Sequence, residues 1–78
     1  MAYVTKFEQD DRDIKNLHPT QVVCKYIVAE HDGKSLLQLN TYGSDKRDVP
    51  GKLSQTLQIG ESAARELLAI LKKEFGDD

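Results

Sequence analysis

Val22-Val23-Cys24-Lys25-Tyr26-Ile27-Val28-Ala29-Glu30-His31-Asp32-Gly33-Lys34-Ser35-Leu36-Leu37-Gln38-Leu39-Asn40-Thr41-Tyr42 is the stretch that decides the fold. β-Branched and aromatic residues crowd Val22 to Glu30, Asp32-Gly33 is a favoured two-residue hairpin turn, and Ser35 to Tyr42 reads as the returning strand. With Asp32 and Gly33 as the loop, His31 faces Lys34, Ala29 faces Leu36, Ile27 faces Gln38 and Lys25 faces Asn40. Alternation then puts Cys24, Tyr26, Val28, Leu37, Leu39 and Thr41 on one face. Val23, Lys25, Ile27, Ala29, Leu36, Gln38, Asn40 and Tyr42 fall on the other. The first set is the better core, with Cys24 expected there as a buried, inert thiol.

On the C-terminal side, Gly43 to Gly51 is turn-rich and carries Lys46 and Arg47. Lys52 to Ile59 alternates as a half-exposed strand: Leu53, Gln55, Leu57 and Ile59 point one way, Ser54, Thr56 and Gln58 the other. Ala64, Leu67, Leu68, Leu71 and Phe75 recur at intervals of three or four, the stripe of an amphipathic helix over Glu61 to Phe75. Gly60 or Ser62 caps its start and Gly76 stops it. On the N-terminal side, Met1 to Glu8 alternates weakly as a short first strand, and residues 9–19 form an acidic connector with at most one helical turn. Pro19 closes that connector by excluding His18 from helical backbone.

The expectation is one α+β domain over residues 1–78, with residues 20–75 as the main unit. A single antiparallel sheet of about four strands, in the order β-β-β-β-α, packs one face under a C-terminal helix. The helix stripe is expected to cover Tyr26, Val28, Leu37, Leu39 and Leu57, with Leu67 and Leu71 as core residues. The opposite sheet face stays open, polar except for Ile27, Ala29 and Leu36 near the hairpin.

At 78 residues the chain has room for one core, and a domain of that size is marginal alone because it buries only about 60% of its unfolded surface. A homodimer follows as an expectation, with the Ile27, Ala29 and Leu36 patch as its first candidate contact and the helix edge as the alternative. The net charge of -2 excludes a uniformly basic nucleic-acid coat and a polyacidic tail. No apolar run approaches the roughly 20 residues that span a bilayer, so no membrane partner is expected. Met1 to Glu8 lacks the basic and apolar regions of a secretory signal, and the single Cys forms no disulfide framework. A cytoplasmic location is expected on both counts.

Cys24, His18 and His31 have no metal-ligand spacing, the Asp10, Asp11, Asp13 run has no calcium-loop Gly and Glu, and the glycines form no phosphate loop. Neither an enzyme nor a cofactor is expected. What stands out is a local excess of cations: Lys34, Lys46, Arg47 and Lys52 between Gly33 and Gly60 face only Asp45 and Asp48. Single-stranded nucleic acid is held by a cationic track along phosphates and by rings on which bases stack, commonly on an open β surface. Lys25, Lys34, Lys46, Arg47 and Lys52 supply the cations and Tyr42 the ring. Asn40, with Gln38, Ser54, Gln55, Thr56 and Gln58, supplies polar contacts to base edges.

Asp32-Gly33-Lys34 leading into a strand that ends in Tyr42, then Val49-Pro50-Gly51-Lys52, then Ser54-Gln55-Thr56-Leu57 and a Leu-rich helix, resembles the positive cofactor four family of single-stranded-DNA-binding transcriptional coactivators. The likeness runs from about Lys25 to Phe75. It implies four antiparallel strands and a helix, a dimer, channels for single-stranded DNA, and no catalysis. The chain departs from the family pattern at Asn40, where an Arg is usual, at Gly43, where a ring is usual, and at Leu53, where a Lys is usual. The reading is a dimeric module for single-stranded nucleic acid, an accessory factor in transcription or DNA maintenance. The alternative is a protein-interaction module or small regulatory subunit docking a larger partner without nucleic-acid binding, which the net negative charge favours.

Overall fold

The computed structural model describes residues 1–43 and 52–77. Four strands, β1 (Ala2–Val4), β2 (Cys24–His31), β3 (Lys34–Tyr42) and β4 (Leu53–Ile59), precede one helix, α1 (Glu61–Phe75). They form one sheet in the order β1-β4-β3-β2, an α+β architecture.

The hairpin forms as its residues dictate. Asp32 and Gly33 take φ of 52° and 78°, the two left-handed positions of a turn whose twist matches that of the flanking strands. Asp tolerates this backbone through its short polar side chain and Gly adopts it without steric cost. The resulting register pairs His31 with Lys34, Ala29 with Leu36, Ile27 with Gln38 and Lys25 with Asn40, as the turn position requires.

Three features differ from the sequence reading. The sheet is mixed, not wholly antiparallel: β1 lies parallel to β4, with Ala2 opposite Leu57, Tyr3 opposite Gln58 and Val4 opposite Ile59. Parallel neighbours are joined by a long crossover, so no turn signal marks the pairing in the sequence. β4 also carries a bulge, since Thr41 pairs with Gln55 but Tyr42 pairs with Leu53. Ser54 is the unpaired extra residue. Its hydroxyl donates to the Thr41 carbonyl at 3.2 Å and shares a 3.0 Å hydrogen bond with the Thr41 hydroxyl. Leu53 therefore stands opposite Tyr42 rather than in the Leu57 and Ile59 row, and Ser54 meets Thr41 rather than joining Thr56. The ladder resumes beyond the bulge, where the Gly43 N–H donates to the Lys52 carbonyl at 2.7 Å.

The third difference is the reach of α1. Its bounds follow the apolar period, with Gly60 as an N-cap that supplies no side-chain bond and Gly76 at φ 83° donating its N–H to the Lys72 carbonyl at 2.9 Å. Glu61 in the first turn and Lys72 and Lys73 in the last oppose the helix dipole. Only the first half of the helix meets the sheet. Ile59 and Ala63 are 2% and 1% exposed and form the fully buried core, with Val4, Leu37, Leu39, Ala64 and Leu67 half-buried around them. Tyr26, Val28, Leu57, Leu68, Leu71 and Phe75, expected in that core, are exposed. Cys24 shares their sheet face and is exposed too, beyond the reach of the helix. Ala63 is the one residue of α1 that is fully buried among the described residues.

Between β1 and β2, residues 5–23 carry no helix or strand. Short local bonds shape them: Asp10 Oδ1 accepts the Arg12 N–H at 3.0 Å, and His18 Nδ1 accepts the Thr20 N–H at 3.1 Å. Phe7, half-buried, ties the start of this segment to α1 by donating its N–H to Glu66 Oε1 at 3.2 Å. Among the described residues no helix is long and apolar enough to cross a membrane.

Candidate nucleic-acid interface

The sheet face opposite α1 is set by the hairpin register. Lys25 pairs with Asn40, and Tyr42 lies one step diagonally along the same face, within reach of a long side chain. The contact is made: the Lys25 ammonium sits 5.2 Å from the centroid of the Tyr42 ring. Such a pairing at a partly exposed site is worth about 0.5 to 1 kcal/mol and fixes where the ring and the charge stand. The two groups that sequence reasoning assigns to stacking and to phosphates thus form one unit.

Beside this pair runs a polar ladder. Gln58 Nε2 donates to Gln38 Oε1 at 3.0 Å, and Gln38 Nε2 donates to Asn40 Oδ1 at 3.1 Å. Thr56 Oγ1 donates to the same Asn40 oxygen at 3.0 Å. Asn40 and Thr56 are each 5% exposed, and no buried side-chain polar atom among the described residues lacks a partner. Buried polar groups that are all satisfied rigidify the surface that holds them. Asn40, expected to touch nucleic acid, is buried at the centre of this ladder. Its amide oxygen is spent on Gln38 and Thr56. Ser54 and Gln55 leave the set of contacts because the bulge and the register turn them toward Thr41 on the other side.

This ladder gives a stability test. Asn40→Leu should cost about 1 to 3 kcal/mol, because the Thr56 hydroxyl loses its buried acceptor. Adding Thr56→Val should restore most of the loss by removing the orphaned donor as well. Urea midpoints of the two variants check this; an Asn40→Leu midpoint equal to that of the unaltered protein would mean that the ladder carries no stability.

At the opposite end of the face, Lys34 lines a shallow cleft of about 530 Å³ together with Tyr3, His31, Leu36, Gln58 and Glu61. At about 3.3 Å per residue, Lys34 lies roughly 26 Å along β3 from Tyr42. His31 Nε2 and Asp32 Oδ2 are 3.4 Å apart on the turn, both exposed. Tyr3 is the residue that sequence reasoning misses. Its place beside Gln58 comes from the parallel pairing of β1, and it adds a second, exposed ring to the face. The only signal in the sequence is the weak alternation of the first eight residues. Lys52 is exposed at the foot of β4. Lys46 and Arg47 lie outside the described residues.

The face therefore holds Lys25 against Tyr42 at one end, a fixed amide and hydroxyl ladder in the middle, and Lys34 with Tyr3 at the other. Such a surface offers ring faces and separated cations on a rigid platform. Compared with known proteins, the chain matches no protein-family model, no curated protein and no solved structure.

Proposed function

We propose that the domain binds single-stranded nucleic acid on the sheet face opposite α1, as a homodimer and without catalysis. Its role is that of an accessory factor in transcription or DNA maintenance. The observation that carries the reading is the Lys25 and Tyr42 pair, a cation and a ring held together on a polar sheet face. Bases stack on Tyr42 and on the exposed Tyr3, while Lys25, Lys34 and Lys52 take phosphates, joined by Lys46 and Arg47 from the loop. Asn40 holds the amides of the platform in place. The resemblance to the positive cofactor four family, from the Gly33-Lys34 turn to the Leu-rich helix, supports the same reading. The net charge of -2 limits the cationic surface to this local set, so binding is expected to be moderate and steeply salt-dependent.

The test is the salt slope of single Ala variants. Replacing Lys25, Lys34, Lys46, Arg47 or Lys52 should lower the slope of log K against log salt by about 0.7 each, uniformly across oligonucleotide sequences. Variants of the lysines on the other side, Lys72→Ala and Lys73→Ala, should leave the slope unchanged. A slope that ignores the first set would remove these cations from the site.

The second reading, docking of a larger protein partner, draws on the exposed Tyr26, Val28, Leu68 and Phe75. Those residues lie on the helix side of the sheet, so the two readings use opposite faces and are tested separately.

A further inference from the structure

We infer that the cleft lined by Tyr3, Lys34 and Glu61 selects one unpaired guanine from the bound strand, a base preference that rests on the single-strand reading above and deepens it. The cleft lies at the hairpin end of the open face. Its volume of about 530 Å³ falls within the range of cavities that hold small ligands.

The charges of the cleft set it apart from the rest of the face. Asp32 is taken up by His31 on the turn, at 3.4 Å. Lys34, which opens β3, and Glu61, which opens α1, line the same cleft with opposite charges, yet no ion pair joins them among the described residues. An ammonium and a carboxylate held apart across a cleft suit a ligand with an anion at one end and N–H donors at the other. A nucleotide is such a ligand, with its phosphate toward Lys34 and its base edge toward Glu61.

The acceptors in the cleft decide which base. An ionised carboxylate accepts hydrogen bonds and donates none. Gln58 commits its Nε2 to Gln38 and keeps its amide oxygen as a further acceptor among the described residues. Guanine presents N1–H and N2–H side by side on its Watson–Crick edge, a bidentate match to the Glu61 carboxylate. Thymine presents one N3–H between two carbonyl oxygens, which a carboxylate repels. Adenine and cytosine each offer an amino group beside a ring nitrogen that can only accept. Unpaired bases are read on this edge because no partner strand occupies it.

The base also needs a ring to rest on, and the fold fixes one. Parallel pairing of β1 with β4 places Tyr3 opposite Gln58. The hydroxyl end of the Tyr3 ring occupies the space where a Cβ on Gly60 would stand. Gly60 has φ -81° and ψ 179°, backbone that any residue adopts, so it is the missing side chain that seats the ring. Tyr3 is held against the backbone there and still 59% exposed, which leaves ring surface for a base.

Anisotropy titrations of the intact protein compare a thymidine strand of about twelve nucleotides, within usual single-strand site sizes, with the same strand carrying one guanine. At low salt the guanine strand should bind about ten-fold more tightly, the ordinary discrimination of one bidentate base contact. Glu61→Gln, at an exposed position, should abolish that preference while binding the thymidine strand at least as well as before. Tyr3→Phe should keep the preference, and Gly60→Ala should weaken it by displacing the ring. Amide chemical shifts of the unaltered protein cover the case in which a variant misfolds: deoxyguanosine monophosphate should move those of Tyr3, Lys34, Gln58 and Glu61, and thymidine monophosphate should move them less at equal concentration. Equal binding of the two strands, a guanine preference that survives Glu61→Gln, or equal shifts with the two nucleotides would overturn the guanine site while leaving single-strand binding in place. Absence of binding by either strand at low salt would overturn the single-strand reading and the guanine site with it.

Discussion

Ile59→Ala should lower the stability of the domain by about 2 to 5 kcal/mol, enough to unfold a large fraction of so small a protein at room temperature. Ile59 is the largest side chain that the fold buries completely among the described residues. It ends β4, pairs with Leu37 on one side and Val4 on the other, and with Ala63 makes up the fully buried apolar core of the described residues. Truncating it opens a cavity at the place where β1, β3, β4 and the helix converge. Ala63, the other buried apolar residue described there, is too small to refill it. A urea midpoint close to that of the unaltered protein would show that the core lies elsewhere. Leu71→Ala should behave differently: Leu71 is exposed on its own chain, so its loss should matter only where chains associate and should fade on dilution.

The second large effect concerns binding. Tyr42→Ala should weaken single-strand binding by about 1 to 3 kcal/mol through the loss of a stacking surface. On residue types alone this change would leave the salt slope intact. The structure modifies that expectation, because the Lys25 ammonium rests on the Tyr42 ring and loses its anchor when the ring is removed. A small fall in slope should therefore accompany the loss of affinity. In a double-mutant cycle, Lys25→Ala and Tyr42→Ala should be non-additive by about 0.5 to 1 kcal/mol, the worth of such a contact at a partly exposed site. Strict additivity would mean that the two groups act independently on the ligand.

How far the fold is legible in the sequence depends on whether its signals are local. The hairpin is readable to the residue, because a two-residue turn at Asp32 and Gly33 fixes every partner from Cys24 to Tyr42. The bounds of α1 are readable too, from an apolar period that ends at Gly76. The parallel β1 is not, since a three-residue strand joined to its neighbour through most of the chain leaves no turn and little alternation. The bulge at Ser54 is not readable either, because strict alternation from Lys52 to Ile59 implies an unbroken ladder. The apolar stripe from Ala64 to Phe75 is correct as a pattern and misleading as a core. A stripe records which residues avoid water, not whether the surface that covers them belongs to the same chain.

The site divides along the same line. Parity assigns Lys25 and Tyr42 to one face, and their contact follows from that register. For Asn40, parity gives the face but not the burial, nor the two hydrogen bonds that its amide oxygen accepts. Whether an amide there reaches outward or is consumed by Gln38 and Thr56 depends on β4, which lies more than ten residues further along the chain. Tyr3 enters only through the parallel strand.

The central claim is that the polar face binds single strands through phosphates and rings. Fluorescence anisotropy of a labelled single-stranded oligonucleotide, titrated with the intact protein at low and at physiological salt, tests it most directly. Saturable binding should appear at low salt and weaken as salt rises, with a log–log slope of about -0.7 for each phosphate neutralised, and a duplex of the same sequence should compete poorly. Absence of binding at low salt, or binding indifferent to salt, would contradict the account.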